Sequence, residues 1–208
     1  MTDRHPASAV AGGLDRIAAW LSLHAPRDLA QFHPPASEHD FAAVERDLGT
    51  ALPTDLRAWW RWADGASGHL SSNSIRLIPL AFTPLTVADA QRARAMWMQV
   101  ARDIATVPIA QLNTFLDSAE QQPAGRFSET WLPSWLPIAT DHAGSNLFVD
   151  LRGGPAHGCV MRFYADDGAT PPLWPDVAAM VTAIADRLDG KPGLSYRPDI
   201  ENGALIWR

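Results

Sequence analysis

Two helix start-and-stop signals stand back to back between Ser37 and Gly65, and they commit that stretch to a tight helix pair. Ser37-Glu38-His39-Asp40 opens like a capping box, Phe41, Val44 and Leu48 share one helical face, and Gly49 supplies the stop. Leu52-Pro53-Thr54-Asp55 restarts the pattern with a proline and a capping threonine. Leu56, Trp59, Trp60 and Ala63 then recur at helical spacing before Asp64-Gly65 ends the run.

Other helices are expected from Leu14 to Leu23, from Thr86 to Ala105, where Met96, Val100 and Ile104 are spaced by four, and from Ile109 to Ala119 after Pro108. After Pro175, Asp176 sits where a helix dipole favours an acid, and Val177, Met180, Val181, Ile184 and Leu188 form an apolar stripe ending at Gly190. Strand signals are Arg76 to Ile78, Leu136 to Ala139, Asn146 to Leu151, Cys159 to Tyr164, and Ala204 to Trp207 as an edge strand. Gly153-Gly154-Pro155 and Gly158 make a long hairpin turn between two of these. Helices early and strands in the middle predict an α+β fold with a single antiparallel sheet flanked by helices.

A chain of 208 residues can bury about 70% of its unfolded surface, enough for a core without staples. One domain over 1–208 is expected, with its core at about 37–190, an N-terminal helix and a C-terminal extension. An apolar content of 47% against 19% charged excludes disorder, and no apolar run is long enough for a membrane span. Cys159 is the one cysteine, and Met1 to Arg16 mixes Asp3, Arg4, Asp15 and Arg16 where a signal peptide would be apolar, so a cytoplasmic, reduced setting is expected. The net charge of −6 argues against direct binding to nucleic acid or to a membrane and suits a basic protein partner.

Catalytic signatures are missing: no glycine-rich dinucleotide loop, no phosphate loop (the one lysine is Lys191), no nucleophile elbow and no His-Glu-x-x-His. Cys159 lies inside a strand signal, the place of a small buried hydrophobe. Asp141, His142, Asp150 and His157 could converge on the hairpin, but their spacing matches no metal motif, and an Asp141 to Gly144 turn capped by its own side chain accounts for the first pair. Asp166-Asp167 before Gly168 reads as a turn. No cofactor is expected.

Nine tryptophans are the unusual count. Trp59 and Trp60 lie on a core stripe, and Trp20, Trp97, Trp131, Trp135 and Trp174 fall in or beside expected elements. Trp62 falls off its stripe and Trp207 is next to last, which leaves these two as contact candidates, since exposed tryptophan is enriched at binding hot spots.

Three stretches together resemble the SUKH superfamily of Smi-Knr cell-wall regulators and bacterial immunity proteins. They are Val44 to Gly65 (VERDLGTALPTDLRAWWRWADG), Trp131 to Leu151 (WLPSWLPIATDHAGSNLFVDL) and Gly158 to Leu188 (GCVMRFYADDGATPPLWPDVAAMVTAIADRL). They are similar to that family's Leu-Gly-x-x-Leu-Pro helix pair, its Leu-Pro-Ile and Gly-Asn hairpin, and its Gly-x-Val strand before a closing helix. Ser145 stands where the family's Asn would, with Asn146 one later; Asp64 replaces the Asn before Gly; and Pro172 to Val177 replaces the usual Ser-Phe. The resemblance implies a binding protein with no catalytic set. Its first implied role is an immunity protein that neutralises a basic, nuclease-type toxin by occlusion, with Trp62, Asp64, Asp141, Asp150 and Trp207 as candidate partner contacts. Two alternatives stay open: a regulatory interaction module of the cell-wall type, and a small-ligand or enzymatic site at the Asp141 to Asp150 hairpin.

Overall fold

The computed structural model describes residues 6–67, 75–105 and 107–208, so Asp3 and Arg4 lie outside the described residues. The chain begins with α1 (Pro6–His24), longer than its apolar signal, and a short α2 (Pro26–Leu29). In α3 (Glu38–Leu48) the capping box is complete: the Ser37 hydroxyl accepts the Asp40 N–H at 3.3 Å, the Asp40 carboxylate accepts the Ser37 N–H at 2.8 Å, and Gly49 closes the helix at φ +70. α4 (Thr54–Trp62) follows, with Pro53 at the cap position and Thr54 as the first helical residue. Thr54 therefore caps nothing: proline already fixes the entry φ, and no side-chain bond is made there. Gly65 adopts φ +67, and a Cβ there would sit 2.4 Å from the Leu85 carbonyl carbon, so the turn after α4 needs a glycine.

The five-stranded antiparallel sheet runs in the order β1 (Thr83–Pro84), β2 (Trp135–Thr140), β3 (Ser145–Asp150), β4 (Val160–Tyr164) and β5 (Gly168–Ala169). α5 (Val87–Asp103) and α6 (Ile109–Glu120) lie in the chain between β1 and β2, and α7 (Val177–Leu188) follows β5. Period-two alternation supplies a core on each face of the sheet. Leu136, Ile138, Leu147, Val149 and Val160 join Leu14, Ile17, Leu56, Trp60, Val181 and Ile184 in a core shared with α1, α4 and α7. Trp135, Phe148, Met161 and Phe163 face the other way, onto Trp97, Leu112, Leu116 and Trp131 of α5, α6 and the approach to β2. With both faces covered, every residue of β3 is buried, its apolar centre Leu147-Phe148-Val149 and its polar ends Ser145, Asn146 and Asp150 alike. The predicted α+β fold is the observed one.

Four local expectations differ. Arg76 to Ile78 forms no strand; Ile78 bridges to Phe82 around a turn in which Leu80 and Ala81 both take positive φ, and the strand begins at Thr83. Pro79 supplies no N–H to continue a ladder from Ile78. Ala204–Trp207 does not edge the main sheet but pairs as β7 with β6 (Pro198–Glu201) in a separate hairpin, held to α2 by the Leu205 N–H donating to the buried Asp28 carboxylate at 2.7 Å. The four-spaced stripe of α5 is not its buried face: Val87, Ala90, Trp97 and Ala101 are buried, whereas Met96 and Ile104 are exposed by 49% and 64%. Asp176 is the cap of α7, one step before its first turn, accepting the Ala179 N–H at 2.6 Å.

One side chain joins the two ends of this assembly. Asp55, in the first turn of α4 and buried, accepts the N–H groups of Leu56 at 2.9 Å, Val177 at 2.8 Å and Ala178 at 3.2 Å. It thereby satisfies two otherwise orphaned donors at the start of α7, more than 120 positions along the chain. Burial lifts its carboxyl above the usual range, opposed by these amide donors. Replacing it by alanine strands those donors in the core, and D55A should lose roughly 3 kcal/mol in urea unfolding. D55N, which keeps an acceptor, should lose less.

Candidate functional site

Of the five residues singled out from the sequence, none reaches another through a hydrogen bond, ion pair or ring contact. Trp62 is half-buried, its ring meeting Phe32 edge-on at 4.9 Å. Asp64 accepts the Val87 N–H at 2.7 Å and so caps α5, and burial raises its carboxyl. Asp141 uses Oδ1 on the N–H groups of Ala143 and Ser145, each at 2.9 Å, and Oδ2 on Arg162 at 3.2 Å, making the self-capped turn expected of it. Trp207 is half-buried and its Nε1 donates to the Arg76 carbonyl at 2.9 Å.

Asp150 requires a correction: its exposure is 0%, so it cannot face a partner. It pairs instead with Arg152, also wholly buried, through Oδ2 at 2.7 Å. The same carboxylate accepts the N–H of Gly125 at 2.8 Å and that of Arg152 at 3.1 Å. The guanidinium reaches onward to the carbonyls of Ala119 at 3.0 Å and Arg126 at 2.7 Å. Two buried charges thus hold the end of α6 and the 125–126 segment against the end of β3. His157 lies against the Arg152 carbonyl, Nδ1 at 3.0 Å, and among the described residues no group of three or more His, Cys, Asp or Glu could hold a metal ion. Cys159 is buried, with its thiol pushed up to about 11 by burial first and the nearby Asp150 charge second.

What that buried pair positions is an open cleft of about 740 Å³ between the end of α5, α6, the 127–130 segment and the β4–β5 turn. Ile104, Val107, Leu112, Phe115 and Phe127 give it an apolar wall, and Glu129, Asp166 and Asp167 give it an acidic one. A second hollow of about 270 Å³ adjoins it and shares Phe115, Phe127 and Glu129. Among the described residues, eleven large apolar side chains are substantially exposed; four of them line this cleft, and a fifth, Ile109, begins α6 beside it. Apolar residues scattered singly over a surface need no explanation, whereas this concentration around one cleft is the feature that sets it apart from the rest of the described surface. Gly168 keeps the wall close: at φ +78, a Cβ on it would come within 2.6 Å of the Ser128 carbonyl oxygen. Of these residues the sequence singles out Ile104, as part of a helical stripe, and Asp166-Asp167, as a turn; Phe115, Phe127 and Glu129 carry no local signal. The missing signal was the outward phase of α5, which only packing against β2 sets.

The SMI1/KNR4 family (SUKH-1) model matches residues 35–183. The chain belongs to that family. The match takes in the sheet, the buried Asp150–Arg152 pair and the whole cleft, and leaves out α1 and the β6–β7 hairpin. Among curated proteins the chain is similar to the "Cell wall biosynthesis/cell cycle regulator smi1" of Schizosaccharomyces pombe, 26% identical over 92% of this chain and 40% of the relative. It is also similar to a "KNR4/SMI1 homolog" of Yarrowia lipolytica, 25% identical over 72% of this chain and 26% of the relative. The "Cell wall assembly regulator SMI1" of Saccharomyces cerevisiae is 22% identical over 67% of this chain and 32% of the relative. The chain thus spans between about a quarter and two fifths of the length of these relatives. Among the described residues, no helix is long and apolar enough to cross a membrane.

Removing Asp150 alone leaves the Arg152 guanidinium charged and buried, so D150A should lose roughly 3 to 5 kcal/mol in chemical denaturation. The double variant D150L/R152M should lose less than the sum of its single changes. Cys159, buried and with its thiol near 11, should resist iodoacetamide at pH 8 in the native protein and react only as the chain unfolds in denaturant.

Proposed function

We propose that the chain is a non-catalytic protein-binding domain of the regulatory type and that the α5–α6 cleft is its contact face. The observation that carries this reading is the gathering of exposed Ile104, Val107, Phe115 and Phe127 around one cleft, in a protein whose buried carboxylates and cysteine are tied up in internal bonds or made inert. Exposed phenyl rings at a concave, partly acidic surface suit association with a protein. The similar fungal proteins are named as cell-wall regulators, which supports a regulatory module ahead of the toxin-neutralising role.

The immunity reading stands second. Its support is electrostatic: a net charge of −6 and an acidic wall beside the cleft would favour encounter with a basic nuclease-type toxin domain. Either way the partner is a protein, and the setting is cytoplasmic.

Photo-crosslinking separates a working cleft from an idle one. A benzoylphenylalanine placed at Phe115 and expressed in the native host should crosslink to a discrete protein partner, and the same label at Leu23, exposed on α1, should not. The F115S/F127S variant, labelled at Gln111, should lose that crosslink while keeping the wild-type melting curve. Identical crosslinking from both label positions, or none from the cleft, would sink the proposal. A crosslinked partner encoded beside the gene as a secreted toxin, with growth protection on co-expression, would move the immunity reading ahead.

A further inference from the structure

Resting on the reading of the cleft as a protein-contact face, we infer that its occupant is a basic amphipathic helix that inserts two large apolar side chains, one turn apart, into the two adjoining hollows. The hollows share Phe115, Phe127 and Glu129, so a single rigid segment can fill both, with neighbouring anchors on either side of the phenyl rings.

The backbone of the occupant decides between helix and strand. A strand needs a free sheet edge, and the one nearest the cleft is taken: β5 is covered by the 128–129 segment, where the Ala169 N–H donates to the Ser128 carbonyl at 3.0 Å and Gly168 permits the close approach. Two of the remaining walls are the helices α5 and α6, whose interior main-chain groups are bonded within themselves, and the rest are short turns and loops with, among the described residues, no run of free amides and carbonyls at strand spacing. An entering segment must therefore satisfy its own amides, and a helix does so while presenting side chains at i and i+4 on one face.

Charge sets the rest of the chemistry. Glu129 stands at both hollows, Asp166 and Asp167 line the larger one, and no lysine or arginine lines either among the described residues. Lys or Arg beside the apolar stripe of the helix would meet this acidic wall, and an acidic helix would be repelled. A partner of this kind is an exposed or disordered segment that becomes helical on docking.

A displayed library of 16-residue helix-forming peptides tests this on the full chain, with large apolar residues fixed at i and i+4 and the flanking positions free to be Lys, Arg, Gln or Glu. A control library carries the same residues at alternating, strand-like spacing. The expected result is enrichment from the helical library alone, with Lys and Arg dominating the flanks. Selected peptides should bind at least tenfold more weakly to F115S/F127S and to D166N/D167N/E129Q, and more weakly in high salt. Since the side chains changed are at the surface, thermal melts of both variants should match the wild type. Enrichment of strand-spaced or acidic peptides, equal binding by the cleft variants, or no enrichment of helical over control peptides would overturn the inference. A Phe115 crosslink to a protein partner would survive any of these results, so the helix inference can fail while the cleft remains a contact face.

Discussion

A buried ion pair is the constraint from which the exposed site follows. Taking Asp150 and Arg152 out of water costs several kcal/mol per charge unless every polar group on them is met, and this fixes where neighbouring backbone must lie. Arg152 needs carbonyls, which Ala119 and Arg126 provide; Asp150 needs N–H groups, which come from Gly125 and from Arg152 itself. The guanidinium also lies over the Trp135 ring, 5.5 Å from its centre, so the charge sits against the aromatic core. The end of α6 is fixed a second time by Glu120, which accepts both the N–H and the hydroxyl of Ser134. Phe127 comes directly after the anchored Arg126, so an exposed ring is held in place by charges no solvent reaches.

The same logic recurs at three other acids. Asp28, Asp55 and Asp64 each turn a carboxylate toward backbone N–H groups of a distant segment, and burial raises all three carboxyls above their usual range. The bonds are strong because an anion accepts them in a poorly solvated setting. They join α2 to the terminal hairpin, α4 to α7, and the turn after α4 to α5. Acids that a surface-minded reading counts as partner contacts are here cross-braces. The formal −6 therefore overstates the negative charge available for docking, and the exposed acids at the cleft matter more than their number suggests.

Local signals were legible in the sequence wherever they were self-contained. The Ser37–Asp40 capping box, the Gly49 stop, the α7 stripe, the Asp141 turn and the burial of Trp59 and Trp60 each depend on residues within about one or two turns, and each stands as read. Features set by long-range packing were not legible. The phase of α5 depends on which side β2 approaches, and Trp97 rather than Met96 turns inward, its Nε1 donating to Asn146 Oδ1 at 2.7 Å. Asp150 at a strand end looked like a surface acid because the partner that buries it, Arg152, is only two positions away and points across the chain to Ala119. The cleft was invisible for the same reason: its walls come from four separate segments.

Scaffold and site are consequently made of different residues in this chain. The braces are buried and mutually dependent, so changing one leaves a charge or an amide unmet. The cleft side chains Ile104, Phe115, Phe127, Asp166 and Asp167 are exposed, so they can change with little effect on folding. If the cleft is the contact face proposed above, its surface can change while the architecture stays fixed, because the buried pair that braces it does not line it. A likeness of 22% to 26% to fungal regulators is compatible with one shared scaffold and separate partners, and the cleft surface is where such a difference would be written.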